Sequence, residues 1–294
     1  MIFENKILES IKTVSEYIRP FIDFKGNKRA NANSSTIYHS KYQIISIIAF
    51  VFKEKYYRVE NHFEGIDKQI WTDKNKKLKS VVPQIYFFDI LNRNWSEGNQ
   101  GNLHFVINNN DYYLSPISRE RWDSTLNNWF IASLDKRDYK QVKNPQPIEK
   151  LFLNYVYSDK FSSKDEKSQD NFDIEHLCTK KFMKDLMIKN KWEQGLPVSS
   201  IGNICYLPEY DNRKKQDNTI YQDKKYLKYL HDNGKLLEDI EEKFTLTTKE
   251  GMEWVNKKYG PNDYDKFFSL YKEFLTNRFE KMKDIFYKTL SIKD

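Results

Sequence analysis

Phe172-Asp173-Ile174-Glu175-His176-Leu177-Cys178, then Gly202-Asn203-Ile204-Cys205-Tyr206-Leu207-Pro208, then Asp211-Asn212-Arg213-Lys214-Lys215: these three pieces of sequence decide the fold. The first two are short apolar runs broken by polar residues, as expected of strands that end at a functional edge. Pro208 closes the second run. Asp211-Asn212 has the chemistry of a helix N-cap and leads into the basic cluster Arg213, Lys214 and Lys215. The predicted order is strand, long loop, strand, helix. Alternation along an ideal strand puts Asp173 and Glu175 on one face and His176 on the other, so Glu175 and His176 work together only at a strand end or a bulge.

An acid followed directly by His, then Asn203, then a second Asn nine residues later, resembles the HNH nuclease motif. Within that superfamily Ile174-Glu175-His176-Leu177 and Ile201-Gly202-Asn203-Ile204 are most similar to the C-terminal nuclease domain of GmrSD-type, modification-dependent restriction enzymes. The Asn-x8-Asn-Arg-x-Lys wording from Asn203 to Lys215 also resembles the HNH domain of CRISPR effector nucleases. Asn277-Arg278-Phe279 resembles the end of the GmrSD-type domain, so the likeness covers about the second half of the chain. The first half resembles no family. The resemblance implies a ββα-metal fold and divalent-metal-dependent hydrolysis of DNA in restriction or anti-phage defence. GmrSD-type proteins usually pair this domain with an NTP-dependent module. No phosphate-binding glycine loop is present here, which leaves an NTPase or recognition subunit to another chain.

The chemistry points the same way. Phosphodiester hydrolysis needs an activated water, a cation against the charge on the phosphorus oxygens, and a means of holding both at one phosphorus. Glu175 and Asn212 offer the hard oxygen ligands that Mg²⁺ or Mn²⁺ accepts, and two protein ligands leave room for waters and phosphate oxygens. His176 is the expected general base, since an ordinary imidazole titrates near pH ~6.5. Asn203 ties the long loop to the strand through its side-chain amide. Lys214 and Lys215, with Arg213 beside them, are the expected phosphate contacts. Asp173 is either a further ligand or a solvated acid. Two other readings stand beside this one: a nucleic-acid-binding or partner-regulated module that keeps the fold as scaffold, and an HNH nuclease acting on RNA, whose phosphodiester is open to the same metal chemistry.

The frame around the motif is a chain of 294 residues with net charge +7, rich in Tyr and Phe (20 each) and poor in glycine, which argues for a packed, helix-rich protein. From Leu177 to His231 eleven Lys or Arg face six Asp or Glu, a local excess that suits a polyanion. Part of that charge is the Lys- and Asn-rich drift of an AT-rich genome, so charge alone decides nothing. The two cysteines, Cys178 and Cys205, are expected to be reduced and buried, and two cannot build a four-cysteine zinc site. His39, His62 and His104 lack ligand spacing. Met1 to Lys12 has no signal-peptide core and no apolar run reaches membrane-spanning length, so the expected location is cytoplasmic, with no membrane partner.

Helical spacing marks Ile7 to Phe24, Tyr42 to Phe52, Ile148 to Tyr157 and Thr179 to Trp192, with a long amphipathic helix from Asp263 to Leu290. Further helix is expected at Tyr221 to Tyr229, broken by Asn233-Gly234, and after Thr247 or Thr248 towards Gly260-Pro261. Leu103–Ile107 and Tyr112–Leu114 around Asn108-Asn109-Asn110-Asp111 predict a β-hairpin. Gly26 to Ser35 and Ser158 to Asp170 have loop composition, and Tyr139 to Pro147 that of a linker. The expected class is α+β, mostly helical. A mixed helical domain with a β-hairpin, residues 1–145, serves recognition or partner binding, and it precedes an HNH nuclease domain, residues 146–294, with the ββα core embedded in helices.

Overall fold

The computed structural model describes residues 2–22, 40–96, 100–138, 143–160, 172–215, 219–222 and 224–293, without the side chains of 2, 100, 101 and 107. The Gly26–Ser35 loop, His39, residues 139–142 of the expected linker and residues 161–170 of the Ser158–Asp170 loop lie outside them. The described residues fall into two compact units, one holding those up to 125 together with 287–293, the other holding 126–286. The first unit thus ends ahead of the Tyr139–Pro147 segment.

In the first unit α1 (Ile2–Ile22) and α2 (Lys41–Lys55) lead to a hairpin of β1 (Tyr56–Val59) and β2 (His62–Gly65), followed by α3 (Lys68–Leu91) and α4 (Gln100–Asn108). Ser40 caps α2 and Asp67 caps α3, each side chain accepting from an orphan N–H of the first turn. Val14, Tyr17 and Ile18 of α1, Ile47, Phe50 and Val51 of α2, and Val81, Val82 and Ile85 of α3 are buried. Their spacing is the reason these segments are helices: each presents one apolar stripe to the shared core.

The hairpin of this unit is not where the sequence pattern put it. β1 and β2 pair in the register Tyr56↔Gly65 to Val59↔His62, turning through Glu60 at φ 46°. That turn carries no Asn-Gly or Gly signal. Leu103–Ile107 lies instead within α4, and a run so short cannot be told from a helix by periodicity. The other expected arm is held to helices by its hydroxyls: Tyr112 donates to Asp89 Oδ1 at 2.9 Å, and Tyr113 and Ser46 share a bond of 2.6 Å.

The second unit contains the rest of α5 (Arg119–Leu134), then α6 (Pro147–Val156), β3 (Phe172–His176), α7 (Lys180–Asn190), β4 (Ile204–Pro208), α8 (Glu209–Lys215), α9 (Lys224–Asp232), α10 (Leu237–Ile240) and α11 (Tyr264–Thr289). α11 is its spine. Phe267, Tyr271, Phe274, Leu275, Phe279, Met282 and Phe286 are buried along one stripe, while Phe268 and Ile285 at its border are half-buried. Phe130 stacks on Phe279 with ring centres 4.2 Å apart, and Trp129 meets Phe152 edge-on. A cut at residue 145 would take both α5 rings out of this core. The helix expected after Thr248 is a 3₁₀ segment, Glu250–Asn256, whose Gly251 N–H donates to Thr248 Oγ1. Gly234, at φ +64°, ends the chain's run through α9 as expected of Asn-Gly.

Candidate functional site

β3 and β4 form a two-stranded antiparallel sheet in the register Asp173↔Leu207, Glu175↔Cys205 and His176↔Ile204, and α8 packs on both strands. The strand ladder is regular, so alternation holds and Asp173 and Glu175 share a face. Two side chains of α8 three residues apart meet them there. Asn212 Nδ2 donates to Asp173 Oδ2 at 3.2 Å, and the fully buried Lys215 Nζ donates to Glu175 Oε1 at 2.6 Å. Positions i and i+3 fall on one side of a helix, which is why one short helix reaches both acids.

α8 begins at Glu209, directly after the strand, so Asp211 and Asn212 lie inside the helix rather than at its N-cap. The buried Asp211 carboxylate accepts from Lys235 Nζ at 3.0 and 3.1 Å. Nor is Lys215 a surface cation; its ammonium is committed to Glu175. Arg213 and Lys214 do face outward. Arg213 pairs with Glu209 one turn earlier, and Lys214 lies over the rings of Tyr210 and Tyr229, at 5.2 and 5.9 Å from their centres.

His176 is the last residue of β3 and is 5% exposed, with its Nε2 buried and without a hydrogen-bond partner among the described residues. Burial, together with the Lys180 and Lys215 ammoniums, lowers its pKa to about 3. The ring is therefore neutral at cellular pH. Lys180, in the first turn of α7, was not singled out by motif reasoning. Its Nζ donates to Asn144 Oδ1 at 2.7 Å, and burial lowers its pKa while Glu175 and Asp138 act to raise it. The hint in the sequence is Thr179, which caps α7 just beyond β3 and so places Lys180 in the first turn of the helix that follows the strand.

Asn203 has no exposed surface and bonds at both ends of its amide: Oδ1 accepts from Cys178 N at 2.9 Å, and Nδ2 donates to Cys178 O at 3.1 Å and Val198 O at 2.8 Å. These bonds hold the end of the long loop against the residues that follow His176. Cys178 and Cys205 are free, buried thiols. No family model, curated protein or solved structure matches the chain. No helix among the described residues is long and apolar enough to cross a membrane.

Gly202, beside Asn203, is held by close approach. A Cβ there would lie 2.6 Å from the Leu275 carbonyl oxygen and 3.0 Å from Leu275 Cα, both backbone atoms of α11. Gly202→Ala is expected to cost roughly 1–3 kcal/mol by overpacking, read as a lower urea midpoint with unchanged slope. An unchanged midpoint would mean the helix yields there.

The donor set suits a hard divalent cation. Two carboxylates and one amide carbonyl, on Asp173, Glu175 and Asn212, supply oxygen only. Among the described residues no cluster of three or more His, Cys, Asp or Glu gathers.

Proposed function

We propose that this chain is a divalent-metal-dependent HNH endonuclease hydrolysing DNA phosphodiester bonds, in a restriction or anti-phage setting, with an NTPase or recognition subunit on another chain. The observation that carries the reading is the meeting of Asp173 and Glu175 of β3 with Asn212 and Lys215 of α8, with His176 as the last residue of the same strand. Glu175 and Asn212, with Asp173 as neighbour, are the residues that would hold Mg²⁺ or Mn²⁺. The ion would offset charge developing on the phosphorus oxygens and the leaving oxygen. Lys215 orients the Glu175 carboxylate through their 2.6 Å ion pair. The neutral His176 ring accepts the proton of the attacking water. Asn203 braces the loop behind it, and Arg213, Lys214 and Lys180 supply positive charge for the backbone on either side of the cut.

Plasmid cleavage in Mg²⁺, Mn²⁺ or EDTA tests the proposal. Activity that survives EDTA undiminished sinks it. Glu175→Ala and Asn212→Ala are each expected to shift the Mg²⁺ requirement upward by about tenfold or more, since each removes one of few protein ligands. A variant whose Mg²⁺ titration overlays the wild type would remove that residue from the metal shell.

A further inference from the structure

The first unit holds a cavity of about 500 Å³ between the end of α3, α4 and the turn after it. Its volume lies in the range of small-molecule sites. Its floor is the Asp89 carboxylate, 1% exposed, which accepts from Trp95 Nε1 at 2.7 Å, Asn94 Nδ2 at 2.8 Å and Tyr112 OH at 2.9 Å. Those three bonds lock the aromatic walls in place and occupy the carboxylate.

Three features of the lining select a ligand. Phe105 and Tyr112 meet at 89° to make an aromatic corner, and Phe105 is 61% exposed, an apolar ring without a core to fill. Such a corner suits the face of a flat ring. Asn102 Nδ2 is held by the Asn94 carbonyl and Asn109 Oδ1 by the Asp111 N–H, and among the described residues Asn102 Oδ1 and Asn109 Nδ2 have no protein partner. Each of these two lining amides thus keeps one polar atom, an acceptor on Asn102 and a donor on Asn109, for a ligand. Arg121 lies over the Phe88 ring and has no carboxylate partner among the described residues. An unpaired guanidinium on the lining favours an anion and opposes a cationic guest.

We propose that this cavity binds a nucleotide, its base against Phe105 and Tyr112, its edge on Asn102 and Asn109, and its phosphate on Arg121. A flat ring with hydrogen-bonding edges and a negative charge is the chemistry all three features share. A purely apolar guest would leave the amides unpaired, and a bare anion would leave the rings unused. The proposal uses no residue of the Asp173–Lys215 site, so it stands or falls separately from the nuclease reading.

Calorimetry on the full chain tests it, with the eight common ribo- and deoxyribonucleoside monophosphates, adenosine, inorganic phosphate and a single-stranded DNA decamer as probes. Saturable binding of at least one monophosphate identifies a free nucleotide as ligand. Binding of the decamer alone, weakened by Phe105→Ala, identifies a base within a strand, since a decamer held only at the Asp173–Lys215 site would not respond to that change. In either case Phe105→Ala is expected to weaken binding about tenfold through lost stacking. Arg121→Gln should weaken the phosphorylated ligands and leave adenosine unaffected. Both side chains are exposed, so neither change threatens the fold, and thermal melting checks that. The proposal is overturned if no monophosphate and no decamer binds at millimolar concentration, if inorganic phosphate binds as well as any nucleotide, or if both variants bind like wild type.

Discussion

His176→Ala is expected to lower metal-dependent plasmid cleavage by roughly 10²–10⁴-fold while DNA binding changes little, because a general base acts on a proton in flight and adds little to ground-state affinity. The proposed role rests on where the side chain sits. It is buried at the end of β3 with no partner for its Nε2 among the described residues, and burial and two nearby ammoniums keep the ring neutral while making it a weaker proton acceptor than a free imidazole. A structural histidine in such a place would hydrogen-bond through both nitrogens. Because alanine also leaves a small void, His176→Gln is the companion variant: it keeps most of the volume and a polar tip but cannot carry the proton. Both should melt within a few degrees of wild type. Retention of a tenth of wild-type cleavage by either variant in a clean preparation removes His176 as the base.

The largest effect on stability is expected at Arg278. This residue is 1% exposed on α11, and its guanidinium donates to three backbone carbonyls: Thr245 O at 2.6 Å, Ile204 O at 3.0 Å, and Gly202 O. Two of them flank Asn203, so one side chain ties α11 to the loop and strand that carry the candidate site. Alanine would leave three buried carbonyls short of a donor, and each such group costs about 1–3 kcal/mol. Arg278→Ala is thus expected to lose on the order of 4 kcal/mol, a large part of the stability of an ordinary domain. Arg278→Lys should recover little, since an ammonium cannot reproduce the fork. Denaturant unfolding measures both. A loss under about 1 kcal/mol for alanine would show that water or neighbours replace the guanidinium.

Local pattern determined the mostly helical α+β class and the elements whose pattern is written in contiguous residues. The α11 stripe, the apolar spacings of α1, α2, α6 and α7, and the two short runs that became β3 and β4 are repeats a few residues long, and any fold that buries them must make those elements. Tertiary structure decided the rest. The hairpin formed at Tyr56–Gly65 rather than around Asn109, because Tyr112 and Tyr113 are claimed by Asp89 and Ser46 from helices far away in sequence. α8 began at Glu209, and Asp211 went to Lys235 instead of capping it. Lys215, the same in sequence as its neighbour Lys214, became a buried partner of Glu175 because helical rotation of about 100° per residue turns one inward and the other out. The motif named the residues of the candidate site; which of them touch, and which charges are buried, depended on pairings between segments tens of residues apart, and local pattern carries no record of those.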